Sequence, residues 1–352
     1  MLAERILQYD LDRRFSDIME LCLYNAVLTS MSHDGTRFTY VNQLASSDQD
    51  PSKREEWFTC ACCPPNVLRL MGQIGGYIYT YTELAEADTL ADRPQQEQQQ
   101  EQQQEQHSAH AQINVHLYIS SQYEFQVAGA PAVLTQKGDW PWSGKVEFEL
   151  QTTSSQAQVS LALRIPGWAK SWKISPSPPS STSESLDKKE YLILPADWLS
   201  AHRTFSLDID ISTRLVSPHP YTNQDTVALV RGPIIYCVED VDNLWVQDHF
   251  KSVQLDPACS VQEKLVMDDT TGDTYVAPTV ANGGAQILKV SDIRARPGVE
   301  VTELDKVVQS QSEESAVVEE LKFVPYYFRA NRGGRGHARV GLEGGIDRTE
   351  PT

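Results

Sequence analysis

The sequence predicts an α+β multidomain protein in which amphipathic helices come first and the short alternating strands of β-sandwich domains follow. Apolar residues recur at three- and four-residue intervals over residues 3–32 and again after Pro64 and Pro65. From Ile113 onward the period changes to two. A run of only glutamine and glutamate over residues 95–106 separates the two regimes, with nothing apolar to offset the entropy of ordering it. With 352 residues and 40% hydrophobic content, the chain can bury more than one core.

Taken in order, Ile6, Leu7, Phe15, Ile18, Met19, Cys22, Leu23 and Val27 mark a helical stripe. The polar stretch Asp10 to Arg14 divides it into two helices, with Asp12 as N-cap of the second, and Cys22 in the stripe reads as a packed thiol. Ser32-His33-Asp34-Gly35 is a turn that leaves His33 on a surface loop, and Arg37 to Asn42 alternates as a short strand. Pro64 and Pro65 suit the first turn of a helix continued by Val67, Leu70, Met71, Ile74 and Ile78, after which Tyr77 to Tyr81 turns into extended chain.

Strands are expected at Ile113 to Ile119, Val146 to Leu150, Val159 to Ile165, Tyr191 to Ile193 and Phe205 to Ile211, bounded by turn residues as in a β-sandwich. These patterns set boundaries at 1–82 for the helical part, 83–112 for the Gln/Glu-rich insertion, 113–220 for a β-sandwich domain and 221–345 for a second β-rich region. Residues 296–318 read as an acidic solvated loop. Cys237 lies in an alternating strand and Cys259 in a loop, neither beside a partner that suggests a site. Arg332, Arg335 and Arg339 are expected to pair with local carboxylates.

The chemistry concentrates in Trp57 to Gly72, W-F-T-C-A-C-C-P-P-N-V-L-R-L-M-G, which sets three of the six cysteines just before a helix start. A helix N-terminus carries partial positive charge, which favours a thiolate, the stronger nucleophile and the good metal ligand. C-A-C-C is not the paired C-x-x-C of a zinc ribbon, so a metal here needs distant ligands. On spacing alone two readings stand: Cys60, Cys62 and Cys63 as small buried hydrophobes at a tight turn, or as a nucleophile and metal site. Glu55 and Glu56, beside Lys53 and Arg54, read as a solvated charge run rather than as catalytic acids.

A net charge of −18, from 48 acidic and 30 basic residues, leaves no basic footprint for nucleic acid. No apolar run reaches membrane-spanning length, and residues 1–7 carry no signal-peptide pattern. Six irregularly spaced cysteines do not form a disulfide framework, so a reducing, cytoplasmic setting is expected.

The segment F-T-C-A-C-C-P-P-N resembles the cysteine motif of glycoside hydrolase family 127, whose founding activity is non-reducing-end β-L-arabinofuranosidase. The likeness extends to L-Y-N-A-V-L through Y-V-N-Q-L, to L-R-I-P-G-W at Leu163 to Trp168, to V-A-L-V-R-G-P-I-I-Y-C-V-E at Val227 to Glu239, and to the P-Y-Y and N-R-G stretches after Val324. The resemblance implies the final helices of an (α/α) barrel followed by β-sandwich domains. It implies a retaining reaction on a terminal L-arabinofuranose-type sugar, with Cys62 as nucleophile, zinc held at Cys62 and Cys63, and Tyr40 and Asn42 lining the sugar site. Cys60 matches a motif position without a catalytic role.

The family's E-x-C zinc motif and its acid/base glutamate fall, by this resemblance, before Met1, and no later E-x-C is expected to replace them. The chain as it stands should therefore bind zinc weakly, and the native enzyme should be longer. Helices over residues 3–32 would leave Ile6, Phe15, Ile18 and Met19 facing water, so protease would trim the region before about residue 110 first. The alternative is an inactive homologue acting as a carbohydrate-binding or scaffold protein.

Overall fold

In the computed structural model, residues 2–60, 62–84, 110–127, 129–154, 157–178, 189–222, 224–281, 283–288 and 316–344 are described. The Gln/Glu-rich insertion and most of the acidic loop lie outside them. The chain divides into two compact units that interleave in sequence: Met1–Leu21 with Leu68–Ile211, and Cys22–Val67 with Ser212–Thr352.

In the first unit, α1 (Leu2–Leu7) and α2 (Arg13–Leu21) are separated by the expected polar break. Asp12 caps α2, its carboxylate accepting the Arg14 N–H at 2.9 Å, and the Arg14 side chain holds that carboxyl below its ordinary pKa. The strands are β1 (Tyr79–Leu84), β2 (His110–Val115), β3 (Ser121–Val127), β4 (Ala130–Gly138), β5 (Lys145–Thr152), β6 (Gln158–Arg164), β7 (Trp172–Ser175), β8 (Tyr191–Leu194) and β9 (Thr204–Ile209). They form one sheet in the order β1-β2-β6-β8, with β2 and β6 parallel, and a second in the order β3-β4-β5-β9-β7. Ile113, Val115, Leu161 and Leu163 of one sheet share a buried cluster with Leu134, Phe148, Leu150 and Leu207 of the other, which makes this unit a β-sandwich.

Helix α2 corrects the apolar-stripe expectation. Its buried positions include Ser16, Met19 and Glu20, whereas Ile18 is 56% exposed. The polar residues hold it: Asp17 and Glu20 meet the fully buried Arg164 of β6 at 2.6 and 2.8 Å, Trp140 Nε1 donates to Glu20, and Ser16 and Tyr191 share a hydroxyl hydrogen bond. A segment tied into the sandwich in this way is not the loose end that periodicity alone suggests.

His116 extends this polar seam. Its ring is buried with Nδ1 2.8 Å from the Tyr191 hydroxyl and Nε2 3.0 Å from Thr80 Oγ1. Burial first, and then the charge of Arg164, push its pKa from 6.5 down to about 3. Between those values the unfolded chain binds more protons than the folded one. Stability is therefore full above 6.5 and is lost as pH falls toward 3, by about 2 kcal/mol at pH 5. The urea midpoint is expected to drop between pH 7 and pH 5 and to lose most of that dependence in His116→Gln; an unchanged acid limb in the variant would remove His116 as its cause.

The second unit contains a π-helical turn, Cys22–Val27, then a 3-10 turn, Leu28–Ser30, and the strands β10 (Thr213–Val216), β11 (Thr226–Arg231), β12 (Ile234–Glu239), β13 (Val253–Leu255), β14 (Val261–Met267), β15 (Thr274–Ala281), β16 (Ala285–Ile287), β17 (Ala316–Val317), β18 (Glu320–Lys322), β19 (Val324–Pro325), β20 (Ala338–Arg339) and β21 (Leu342–Gly344). The order β17-β16-β13-β21-β11-β12-β19 forms its large sheet, and β14-β15-β18 a smaller one. Leu229, Tyr236, Val253, Leu321 and Leu342 are buried within it, and Asn25 of the π turn binds the β11–β12 hairpin through Pro233 O and Ile235 N, both at 2.8 Å.

Two local expectations change here. Arg37 to Asn42 forms no full strand; Phe38 alone bridges, to Met31 and Glu55. Cys22 is exposed rather than packed. The remaining described helices are α3 (Cys63–Met71) and α4 (Ala196–Ala201), with short 3-10 turns besides. The architecture is sheet-rich and multidomain, and the described helices close no (α/α) barrel by themselves.

Candidate active site

The thiol-bearing segment has a fixed stem and an open tip. Arg54, read from sequence as part of a solvated charge run, is buried, and its guanidinium donates to the carbonyls of Thr29 at 3.2 Å, Tyr327 at 2.9 Å and Arg329. Burial holds its pKa down, to about 10, and the neighbouring Arg329 adds to the fall. Ser52 adds a backbone bond to Gly336 O at 2.8 Å and accepts Arg329 through its hydroxyl at 2.6 Å. Beyond this stem Trp57 is 70% exposed, and Cys60 and Cys62 are exposed.

Helix α3 then begins at Cys63, with Pro64 and Pro65 in its first turn, where a missing N–H costs little. The Asn66 side chain donates to the Cys62 carbonyl at 2.8 Å, which ties the turn before the helix to its first residues. Pro64 is buried, while the apolar Val67, Leu70 and Met71 are half-buried. Gly72 ends the helix, donating to Leu68 O at 3.0 Å.

Cys62 and Cys63, the residues expected to act as nucleophile and zinc ligand, stand with their sulfurs 3.7 Å apart. Two thiolates on one tetrahedral zinc, with Zn–S of about 2.3 Å, lie about 3.8 Å apart, so the pair fits two corners of such a site. Among the described residues no group of three or more His, Cys, Asp or Glu side chains is placed to share a metal, so the other two corners are not supplied. Glu55 and Glu56 do not fill them: Glu55 pairs with Lys53 at 2.7 Å, and Glu56 is mostly exposed toward Arg37. Glu20-Leu21-Cys22 spells E-x-C, yet Glu20 is buried against Arg164 while Cys22 is exposed. That tripeptide is therefore a docking carboxylate followed by a surface thiol.

Tyr40 and Asn42 are both exposed, and neither has a described contact with the thiols. The Tyr40 ring meets Phe58 edge-on at 5.5 Å, and the Asn42 amide reaches Ala26 O at 3.5 Å. Tyr40 thus presents a ring backed by the segment that leads to Cys62. His33, placed on a surface loop by sequence, pairs with Asp273 at 2.8 Å. Arg332 and Arg335 pair with carboxylates as expected, Arg332 with Asp242 at 2.6 Å and Glu239 at 2.9 Å, and Arg335 with Asp240; Arg339 instead donates to His249 O. Sequence reasoning missed the buried Arg54 and Arg329, and the stacked His249–His337 pair with ring centroids 3.7 Å apart, because no local pattern marks a buried polar partner.

Exposure also ranks the thiols. Cys237 is fully buried, and burial pushes its pKa well up, which makes it a poor nucleophile. Under native conditions iodoacetamide is expected to modify Cys62 before Cys237, followed by peptide mass mapping. Modification of Cys237 first would remove the chemical ground for placing a nucleophile at Cys62.

Three family models for glycoside hydrolase family 127 match the chain: the β-L-arabinofuranosidase catalytic domain over residues 1–76, the middle domain over 112–209 and the C-terminal domain over 213–340. A non-reducing-end β-L-arabinofuranosidase of Bifidobacterium longum subsp. longum is 27% identical over 94% of this chain and 46% of its own length. The crystal structure of a GH127 β-L-arabinofuranosidase from Geobacillus stearothermophilus T6 superposes with a TM-score of 0.71 at 26% identity, over 97% of this chain and 48% of that one. A further solved structure, titled a glycoside hydrolase, shares the fold with a TM-score of 0.72 at 23% identity, over 97% of this chain and 50% of that one. The chain thus spans about half the length of these relatives.

Proposed function

Since the chain belongs to glycoside hydrolase family 127, we propose that it carries the nucleophile of a retaining β-L-arabinofuranosidase-type reaction, with Cys62 attacking the anomeric carbon of a terminal L-arabinofuranoside. The observation that carries this reading is the exposed Cys62, beside Cys63 at the start of α3, inside the residues matched by the catalytic-domain model. Helices α1, α2 and α3 are in this reading the last helices of an (α/α) barrel. Tyr40 offers an aromatic face to the sugar and Asn42 an amide. A reducing, cytoplasmic setting suits a nucleophile that must stay a free thiol. The scaffold alternative draws no support from the fold or the relatives.

In a retaining reaction the nucleophile and a proton donor flank the anomeric carbon. Cys62 would form the bond to that carbon, and Cys63 beside it is the proposed zinc ligand. In this reading Cys62 and Cys63 would give two of zinc's four donors. The first turn of α3 holds no acidic residue to serve as proton donor. A 2,4-dinitrophenyl β-L-arabinofuranoside tests the nucleophile separately, because dinitrophenolate leaves without protonation. The protein is expected to release dinitrophenolate in a burst and to hold the sugar on the peptide Glu55 to Arg69. Equal reaction with the D-arabinofuranoside, or no sugar on that peptide, would overturn the reading.

A further inference from the structure

The second unit carries a cleft that the proposed reaction does not use. It opens between the residues that follow β12 and the chain that runs from β17 into β18. Its volume of about 590 Å³ falls within the range of about 300–1,000 Å³ usual for small-ligand sites. Trp245 forms one wall and is still 36% exposed, with the buried Phe250 ring set against it at 82° and a centroid distance of 6.0 Å. Leu244 and Val317, both exposed, extend the apolar surface. The frame is tied from beneath: the buried Asn243 side chain donates to Lys322 O and accepts the Lys322 N–H, both at 3.0 Å, and the Val318 N–H donates to Ala285 O at 3.1 Å.

We propose that this cleft binds an arabinose-containing saccharide, with Trp245 as the surface on which a sugar ring lies. A sugar presents C–H faces and a hydroxyl edge, so its site needs an apolar plane beside hydrogen-bonding groups. The indole supplies the plane, and Glu319, Glu320 and Lys322 supply the partners. A purely apolar ligand would strip water from these charges without replacing it. A cationic ligand would meet the Lys322 ammonium and carboxylates that are already paired. Lys322 lies 3.1 Å from Glu320 and Arg332 2.6 Å from Asp242, so of the lining carboxylates only Glu319 lacks a partner among the described residues. A paired carboxylate still keeps lone pairs for a hydroxyl, so pairing that discourages a cation leaves a neutral polyol its acceptors. The choice of arabinose rests on the reading of the chain as an arabinofuranosidase; the chemistry of the cleft does not.

The test labels the 7 tryptophans of the whole protein with 5-fluorotryptophan and assigns the Trp245 fluorine signal by its loss in Trp245→Phe. A linear trisaccharide of L-arabinofuranose is expected to shift that signal to saturation. A double variant, Glu319→Gln with Lys322→Met, changes two exposed side chains and should raise the midpoint of the titration at least about tenfold, with the other tryptophan signals unmoved as proof of folding. No shift of the Trp245 signal, or an unchanged midpoint in the double variant, would overturn the proposal. Three other occupants would overturn it as well: trilysine, if it shifts the signal and the trisaccharide does not; a second copy, if the signal moves with protein concentration instead; and residues 289–315, if the trisaccharide acts only after they are replaced by a short linker. If the trisaccharide shifts the Trp245 signal and no dinitrophenolate burst occurs, the cleft stands and the nucleophile reading falls. If the burst occurs and the signal stays still, the nucleophile stands and the cleft falls.

Discussion

Replacing Cys62 with serine is expected to abolish the dinitrophenolate burst, lowering its rate on the order of 10³-fold or more, and to remove the covalent sugar from Glu55 to Arg69. A hydroxyl has the geometry of a thiol but is a far weaker nucleophile at neutral pH, and no base stands within the described contacts of Cys62 to activate it. The residue is exposed, so the substitution opens no cavity and the urea midpoint should stay within experimental error of the parent. Cys60→Ser should keep the burst. A Cys62→Ser protein that still releases dinitrophenolate at the parent rate would move the nucleophile elsewhere.

The second large effect is on stability and falls on Arg164. Its side chain is fully buried between Asp17 and Glu20, its guanidinium lies 5.7 Å from the centroid of the Tyr118 ring, and the Tyr118 hydroxyl donates to its carbonyl. Burial pushes the Glu20 carboxyl up, and Arg164 is the cation that opposes this. Arg164→Ala leaves that carboxylate buried without its charge partner, which costs about 3–5 kcal/mol. The loss should appear in urea unfolding followed by tryptophan fluorescence, since Trp140 itself donates to Glu20. Glu20→Gln in the Arg164→Ala background should recover part of it by removing the stranded charge. A cost below about 1 kcal/mol for Arg164→Ala would show that α2 is held mainly by Met19 and not by its ions.

Much of the fold was legible because its signals are local. Most of the period-two runs from Ile113 onward became strands, although the first ends at Val115 rather than Ile119, since side chains that alternate across a pleat must alternate in hydrophobicity when one face is buried. The break at Asp10 to Arg14 and the cap at Asp12 are likewise short-range events. The candidate site was legible for a related reason: three cysteines followed by two prolines at a helix start lie within a few residues of one another, and chain connectivity alone keeps them together. Arg37 to Asn42 failed as a strand because alternation says nothing of a pairing partner, and only Phe38 finds one.

The sequence by itself determined the class of most described segments, Arg37 to Asn42 excepted, and placed the thiol pair at a helix start. Only the tertiary structure decided which charges are buried. Arg54 and Glu20 look from their neighbours like solvent-facing residues; one is buried by carbonyls from Tyr327 and Arg329, the other by an arginine on β6. Asp17 meets that same arginine across 147 residues of chain. Hydrophobic periodicity is a property of one stretch of backbone, whereas a charge can leave water only where distant groups replace its hydration, and no local pattern records where those groups will be.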